Sequence, residues 1–159
     1  MKSVLLPLIF NTLLILNLSA SQTDNKNQFT FPHWKSLYKL NTDTLASADH
    51  NAWFDIYLNA IAEKAYLEKL SLMPVGSTIL KPLYPDEQRS ETSKLTIMIK
   101  MEKEYDRENG DWWYGVYDET GIKGSYQGKI KSCIECHTKA KKTDYMFSES
   151  VIEEMNEED

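Results

Sequence analysis

The sequence predicts an α+β fold: an antiparallel β-sheet with flanking N-terminal helices and a cysteine-containing segment near the C-terminus. Apolar side chains recur at helical spacing over residues 53–61, which predicts an amphipathic helix. Large apolar side chains then occupy every second position from 95 to 101, the period of a strand. The aromatic stretch 112–117 follows the turn signal Asn109-Gly110, so these two strands are expected to pair as an antiparallel hairpin.

The helical half is expected to come first. Residues 30–40 predict a short helix or turn, and residues 49–70 predict the longest helix of the chain. Ser47 or Asp49 could cap the start of that helix, since short polar side chains satisfy the first free amides. The helix should end before Pro74, which begins a Pro-Val-Gly turn signal.

The second half is expected to form the sheet. Residues 78–83 predict a short strand limited by Pro82, and residues 84–93 predict a polar loop. Glycines at positions 121, 124 and 128 predict a further loop that leads into the cysteine-containing segment.

The two ends of the chain differ from its centre. Residues 1–20 predict a cleavable signal peptide, because a basic start at Lys2 is followed by an apolar run and by small residues around Ala20. An uncleaved anchor is the alternative, although the run is shorter than the roughly 20 residues of a membrane span. Residues 21–29 predict a flexible leader, residues 30–147 a single domain, and residues 148–159 an acidic tail.

Charge and size narrow the classes of function. The chain has a formal net charge of −6, and the tail alone holds six acids and no base. The acidity therefore indicates a solvated tail rather than an acidic binding face, and nothing indicates nucleic-acid binding. The 159 residues are enough for one domain with a real core.

The C-terminal segment contains the motif Cys133-Ile134-Glu135-Cys136-His137. The C-x-x-C-H spacing is that of a covalent c-type haem site, where each thiol forms a thioether and the histidine is the axial ligand of iron. The chain has only two cysteines, so a four-thiolate site is excluded. A redox disulfide and half of a zinc site remain as alternatives. A redox disulfide with this spacing usually lies beside a βαβ unit, and no βαβ pattern surrounds the motif. Export to the periplasm fits haem c.

Five sequence blocks together resemble the cytochrome P-460 family, which includes the sheet-based cytochromes c′-beta. The blocks are residues 74–81, 95–100, 110–114, 133–137 and 143–147. The resemblance covers about residues 50–147, and its most specific element is the haem motif followed by Asp-Tyr-x-Phe. A four-helix bundle with the same late motif is disfavoured, because residues 78–117 have strand character.

The resemblance implies a site and a class of chemistry. One covalent haem c would be attached to Cys133 and Cys136, with His137 as the proximal ligand of a five-coordinate iron. Lys81 matches the lysine that some members cross-link to the macrocycle, which requires a deprotonated amine in a desolvated pocket. The substrates would be small nitrogen species, hydroxylamine or nitric oxide, and the protein would be a homodimer.

One departure from the family pattern concerns the distal side. Thr96 stands where the hydroxylamine-oxidising members carry a carboxylate, and a threonine hydroxyl cannot act as a base near neutral pH. Thr96 could still donate a hydrogen bond to a bound ligand. Another acid, such as Glu102 or Glu104, could reach the site from elsewhere. The departure lowers the expectation of a hydroxylamine-oxidising enzyme and favours nitric oxide binding without turnover.

A six-coordinate electron-transfer cytochrome is the remaining alternative. Met98 shares the face of Thr96 on a regular strand and could supply a sulfur ligand, although a strand methionine is more often core. His33 and His50 are further candidate ligands, with His50 expected in the first turn of the long helix.

Aromatic residues that could wall the pocket are Trp112, Trp113 and Tyr114. Lysines that could dock an acidic soluble redox partner are Lys129, Lys131, Lys139, Lys141 and Lys142.

Overall fold

An eight-stranded antiparallel sheet forms the centre of the structure, a computed structural model that describes residues 28–147. The predicted signal peptide and acidic tail lie outside the described residues, as does the predicted leader apart from Gln28 and Phe29. Within the described part, no helix is long and apolar enough to cross a membrane. The predicted α+β class is confirmed.

The strands are β1 (Tyr38–Lys39), β2 (Leu45–Ser47), β3 (Ala52–Phe54), β4 (Tyr57–Leu58), β5 (Thr78–Tyr84), β6 (Lys94–Lys100), β7 (Trp112–Tyr117) and β8 (Gly124–Gly128). Across the sheet the order is β1-β4-β5-β6-β7-β8, and a β2–β3 hairpin joins β5 through β3. The helices are α1 (Ala60–Leu67) and α2 (Lys131–His137). Single-turn 3₁₀ segments are Trp34–Ser36 and Arg107–Asn109, and a longer one, Thr138–Thr143, follows α2.

The central strands lie where the sequence pattern places them. β5, β6 and β7 match the predicted strands, and β6 pairs with β7 in the predicted antiparallel hairpin. Gly110, in the connection between them, has a left-handed φ of +74°, which glycine adopts without steric cost. The short helix expected within residues 30–40 is the 3₁₀ turn Trp34–Ser36, and β1 follows it.

The predicted helix over residues 49–70 is wrong in its first half. The chain first forms β3 and β4, which pair with β5 through Trp53–Tyr84 and Tyr57–Leu80 contacts. Aromatic side chains at helical spacing also suit a strand, and pairing with the central sheet decides between the two.

Asn59, rather than Ser47 or Asp49, caps the helix α1. Its side-chain oxygen accepts the amide of Ala62 at 3.0 Å and the amide of Thr78 at 3.0 Å. One side chain therefore starts α1 and also fixes it to the first residue of β5.

The predicted loop over the three glycines is also wrong in part. Residues 124–128 form the edge strand β8, in which Gly128 lies opposite Tyr114 and Tyr126 lies opposite Val116. Pairing with β7 orders the segment despite its low strand propensity, and β8 leads directly to α2.

The sheet separates two apolar clusters. On one face Ile79, Met98 and Tyr114 pack with α1 and with Cys133 of α2. On the other face Leu80, Ile97 and Trp113 pack with the N-terminal segment, where the Phe29 ring lies 4.9 Å from that of Trp113. The α2 segment therefore meets the first face.

Candidate haem site

The helix α2 places the three motif residues on one side. Cys133, Cys136 and His137 are spaced i, i+3 and i+4, so they neighbour each other on the helix surface. Both cysteines are free thiols of intermediate burial. Burial raises the pKa of the Cys133 thiol, so the thiol keeps its proton near neutral pH.

The imidazole of His137 is held in one tautomer. Its Nδ1 lies 2.6 Å from the backbone carbonyl oxygen of Tyr145. A carbonyl can only accept, so Nδ1 carries the hydrogen and Nε2 keeps a free lone pair. Burial lowers the pKa of His137 to about 4, which keeps the ring neutral. A neutral imidazole whose second nitrogen is anchored in this way is the usual state of a metal-ligating histidine.

A buried ion pair supports the Tyr145 carbonyl. Asp144 accepts hydrogen bonds from the Lys100 ammonium at 2.7 and 2.9 Å and from the Met73 amide at 2.8 Å. The Asp144 carbonyl in turn accepts the indole N–H of Trp112 at 2.9 Å. Asp144 and Tyr145 both have left-handed φ values, and these contacts hold the chain in that uncommon conformation.

Two adjacent cavities border His137. The inner cavity lies between the sheet and α2, and its lining includes Tyr114 and Cys133. The outer cleft, of about 320 Å³, lies between α2 and the β2–β3 connection, and its lining includes Cys136 and Phe147. Residues that line both are His50, Lys81 and His137.

Lys81 reaches the site from the middle of β5. Its ammonium lies 4.6 Å from the centroid of the Phe54 ring, and its side chain lines both cavities. Desolvation lowers the pKa of Lys81 to about 8, and the nearby Cys136 side chain has a smaller opposite effect. The amine is therefore partly deprotonated in mildly alkaline solution, as a lysine nucleophile must be.

Thr96 and Met98 occupy the same face of β6, as the strand period predicts. Thr96 pairs directly with Lys81 across the β5–β6 ladder, and its hydroxyl makes only a long 3.4 Å bond to the Lys81 carbonyl. Met98 is buried between Ile79 and Tyr114, its partners on the two neighbouring strands. Thr96 and Met98 both line the inner cavity.

Of the other candidate residues, His50 lies at the site, whereas His33, Glu102 and Glu104 lie away from it. His50 lies in the β2–β3 connection rather than in a helix, and burial lowers its pKa. His33 lies elsewhere, in a shallow depression beside Trp34. Glu102 and Glu104 are exposed and line neither cavity.

Asp49 is a carboxylate that the sequence analysis did not assign to the site. It is exposed at the outer cleft, next to His50. From the sequence, Asp49 is expected only as a helix cap, because residues 49–70 predict one continuous helix.

The three aromatic candidates, Trp112, Trp113 and Tyr114, differ in their position relative to the site. Trp112 lies on the face of the site and supports Asp144, whereas Trp113 packs on the opposite face. Tyr114 lines the inner cavity, and its ring centroid lies 5.3 Å from that of His137. Burial, with a smaller contribution from Cys133, raises the pKa of Tyr114 far above its usual value, so its phenol stays protonated.

The exposed lysines near the motif are Lys129, Lys131, Lys139, Lys141 and Lys142.

These residues fit a haem attached through the motif. His137 lines both cavities, Cys133 lines the inner one and Cys136 the outer one, and both linings include apolar and aromatic side chains. In contrast, residues 28–147 contain no group of three or more histidine, cysteine, aspartate or glutamate side chains placed to hold a bare metal ion.

An antiparallel sheet that packs against a C-x-x-C-H helix beside a cavity defines a haem-binding cytochrome. The profile of the cytochrome P-460 family matches residues 30–148, well over half of the chain. The chain therefore belongs to the cytochrome P-460 family. A search of the curated proteins finds no match.

Proposed function

We propose that the protein is an exported mono-haem c-type cytochrome that binds small nitrogen species at an iron held by His137. The observation that carries the proposal is the 2.6 Å contact between Nδ1 of His137 and the Tyr145 carbonyl. It leaves Nε2 free and fixes the ring plane, so the histidine is prepared to bind iron before any ligand arrives. Cys133 and Cys136 on the same helix would hold the haem as thioethers.

The iron would supply ligand binding and one-electron chemistry, and the protein controls access to it. Lys81, Thr96 and Met98 line the inner cavity with His137, and none of them is a carboxylate. This lining supports binding of nitric oxide rather than rapid proton removal from hydroxylamine.

Oxidation of hydroxylamine is the second candidate. Lys81 favours it, because an amine with a pKa of about 8 beside the haem position could be cross-linked to the macrocycle. Asp49 and His50 at the outer cleft could accept the protons released. Failure of the purified protein to consume hydroxylamine with an electron acceptor, in the presence of bound haem, would reject this candidate.

Mass spectrometry and nitric oxide titration test the main proposal together. The protein is made in a host that attaches haem c, denatured and weighed, and the mass should include one haem. The double variant Cys133→Ala/Cys136→Ala should lack that mass. The reduced wild-type protein should bind one nitric oxide per haem. A wild-type protein without covalent haem, or one that does not respond to nitric oxide, would overturn the proposal.

The cellular setting forms part of the proposal. Residues 1–20 would direct export, and the haem would be attached in the periplasm. The five exposed lysines around the motif support docking of an acidic soluble redox partner, and the active form would be a homodimer. Cell fractionation and size-exclusion chromatography with light scattering test localisation and dimerisation separately.

A further inference from the structure

We propose that the acidic tail, residues 148–159, docks on a lysine-rich surface of its own chain and competes there with an acidic partner protein. This lysine surface consists of the five exposed lysines on α2 and on the segments before and after it: Lys129, Lys131, Lys139, Lys141 and Lys142. The docking needs no haem. The competition rests on the proposed function, in which an acidic redox partner uses the same lysines.

The lysine surface has an excess of positive charge. Residues 129–142 contain five lysines and a single acid, Glu135, which lies 3.7 Å from Lys131. Among the described residues, no carboxylate pairs with the three lysines of the 3₁₀ segment Thr138–Thr143. Lysines that are held close together repel one another, so an acidic segment that covers them relieves this repulsion.

The tail has the complementary charge. Residues 148–159 hold six acids and no base, and the first acid, Glu149, is two residues beyond Phe147. From its composition alone such a segment is expected to be solvated. The lysine surface supplies an oppositely charged partner that the composition of the tail does not reveal.

The described chain ends beside this surface. Asp144 and Tyr145 have left-handed φ values, and the Tyr145 amide donates to the Ala140 carbonyl at 2.8 Å, so the chain turns back after the 3₁₀ segment. Phe147 then returns to α2, where its ring centroid lies 5.4 Å from that of His137. The tail therefore begins at the C-terminal end of α2, next to the segment that carries three of the lysines.

The tail is long enough to reach the whole lysine surface. Its twelve residues span up to about 40 Å when extended, at roughly 3.3 Å per residue. The helix α2 and the 3₁₀ segment contain seven and six residues, which together span only about 20 Å at roughly 1.5 and 2.0 Å per residue.

Attachment at Phe147 makes the ion pairs effective. Each exposed pair contributes little by itself, but a tethered segment has an effective concentration on the order of millimolar at a surface beside its attachment point. Docking should therefore be favourable at low ionic strength and should be lost when salt screens the charges.

Carbodiimide cross-linking of the haem-loaded protein that retains residues 148–159 tests the docking. The reagent joins a carboxylate to a lysine amine that touches it, and mass spectrometry of the digest identifies the joined residues. At low salt the tail acids should be joined to the lysine surface, and these products should be lost at about 1 M salt, where the Debye length is about 3 Å. The matched controls are Lys35 and Lys123, which are exposed away from α2 and should form few links to the tail.

Isotope labelling separates docking within one chain from contacts between copies. Labelled and unlabelled protein are mixed before cross-linking, and the tail should be joined to lysines that carry the same label. Tail links spread evenly over all exposed lysines, or links found only between the two labels, would overturn the proposal.

Binding of an acidic probe tests the competition. The probe is a fluorescently labelled decapeptide of glutamate, and its anisotropy is measured at low ionic strength. Replacing the five tail glutamates by glutamine, together with Asp159→Asn, keeps the length of the tail. The replacement should tighten probe binding about fivefold, because it removes a tethered competitor.

A second background separates docking from long-range charge. In the variant Lys139→Gln/Lys141→Gln/Lys142→Gln, neutralising the tail should leave probe binding unchanged, because the tail then has no surface to leave. Equal tightening with and without the three lysines, or no tightening in either background, would overturn the competition. Neither experiment uses the iron, so binding of carbon monoxide or nitric oxide tests the proposed function independently.

Discussion

The Nδ1 atom of His137 donates to the backbone carbonyl of Tyr145 across 2.6 Å, and this contact links the haem motif to the Asp-Tyr-x-Phe block that follows it. The carbonyl is in turn held by Asp144, whose carboxylate pairs with Lys100 on the central sheet. Orientation of the proposed iron ligand thus depends on a strand that lies outside the motif.

Asp144→Asn should destabilise the protein strongly. The change leaves the Lys100 ammonium, of which only 13% of the side chain is exposed, without its counter-charge, and breaking a buried pair costs about 3–5 kcal/mol. Denaturant unfolding monitored by tryptophan fluorescence measures the loss. Glu135→Gln is the control, because it removes an ion pair with Lys131 that is largely exposed and contributes little. Equal losses in the two variants would contradict the assigned role of Asp144.

Asn59→Ala should lower the free energy of unfolding by about 1–2 kcal/mol, the usual contribution of a helix cap. The substitution removes the acceptor of both the Ala62 and the Thr78 amide. Asn59→Asp is the matched variant, since its carboxylate can still accept both bonds while losing the donor to the Gly76 carbonyl. The unfolding temperature should therefore be highest for the wild type, lower for Asn59→Asp and lowest for Asn59→Ala.

Lys81→Met should stabilise the haem-free protein at pH 7. Burial lowers the pKa of Lys81 from 10.5 to about 8, so between those values the unfolded chain binds more protons than the folded chain. The free energy of unfolding of the wild type therefore rises as the pH rises from about 8 to 10.5. The extra stability of Lys81→Met relative to the wild type should shrink over the same range. Unfolding curves at pH 7 and pH 10 measure the difference, with Lys123→Met as an exposed control. An advantage that stays constant with pH would contradict the burial of the Lys81 charge.

Met98→Ala should weaken the fold without changing the iron. The side chain is 7% exposed in the core, and its truncation should cost about 2–5 kcal/mol. If the iron is five-coordinate, the ferrous absorption spectrum should remain that of the wild type. Met101→Ala, at the end of the strand and packed on the opposite face, controls for loss of a methionine. A change from a low-spin to a high-spin spectrum in Met98→Ala alone would instead assign Met98 as the sixth ligand.

Local patterns predicted the central sheet, because β6 has large apolar side chains at every second position and β7 is rich in aromatic residues that favour strands. The same reasoning failed for residues 49–58, where Trp53 and Tyr57 fit helical spacing but pair with β5. Only a contact with a distant strand distinguishes the two structures. Asn59 carried a recognisable capping signal, but the expected helix began ten residues earlier.

The site was predictable where spacing alone defines it. The motif fixed the three attachment and ligand residues, the strand period placed Thr96 and Met98 on one face, and the family resemblance singled out Lys81. The Tyr145 carbonyl, the Lys100–Asp144 pair and the approach of Asp49 depend on long-range packing that leaves no local pattern. The contact of Phe147 with His137, which returns the chain to α2, is likewise visible only when every neighbour is in place.

The absorption spectrum of the ferrous haem-loaded protein, taken before and after carbon monoxide, tests the central claim most directly. An iron held by His137 with an open distal side should give a high-spin spectrum that shifts on addition of the gas. A broad, strongly red-shifted Soret band that disappears in Lys81→Met would add the cross-link to this account. A sharp low-spin spectrum that does not respond to carbon monoxide would show a sixth protein ligand and would contradict the proposed ligand-binding function.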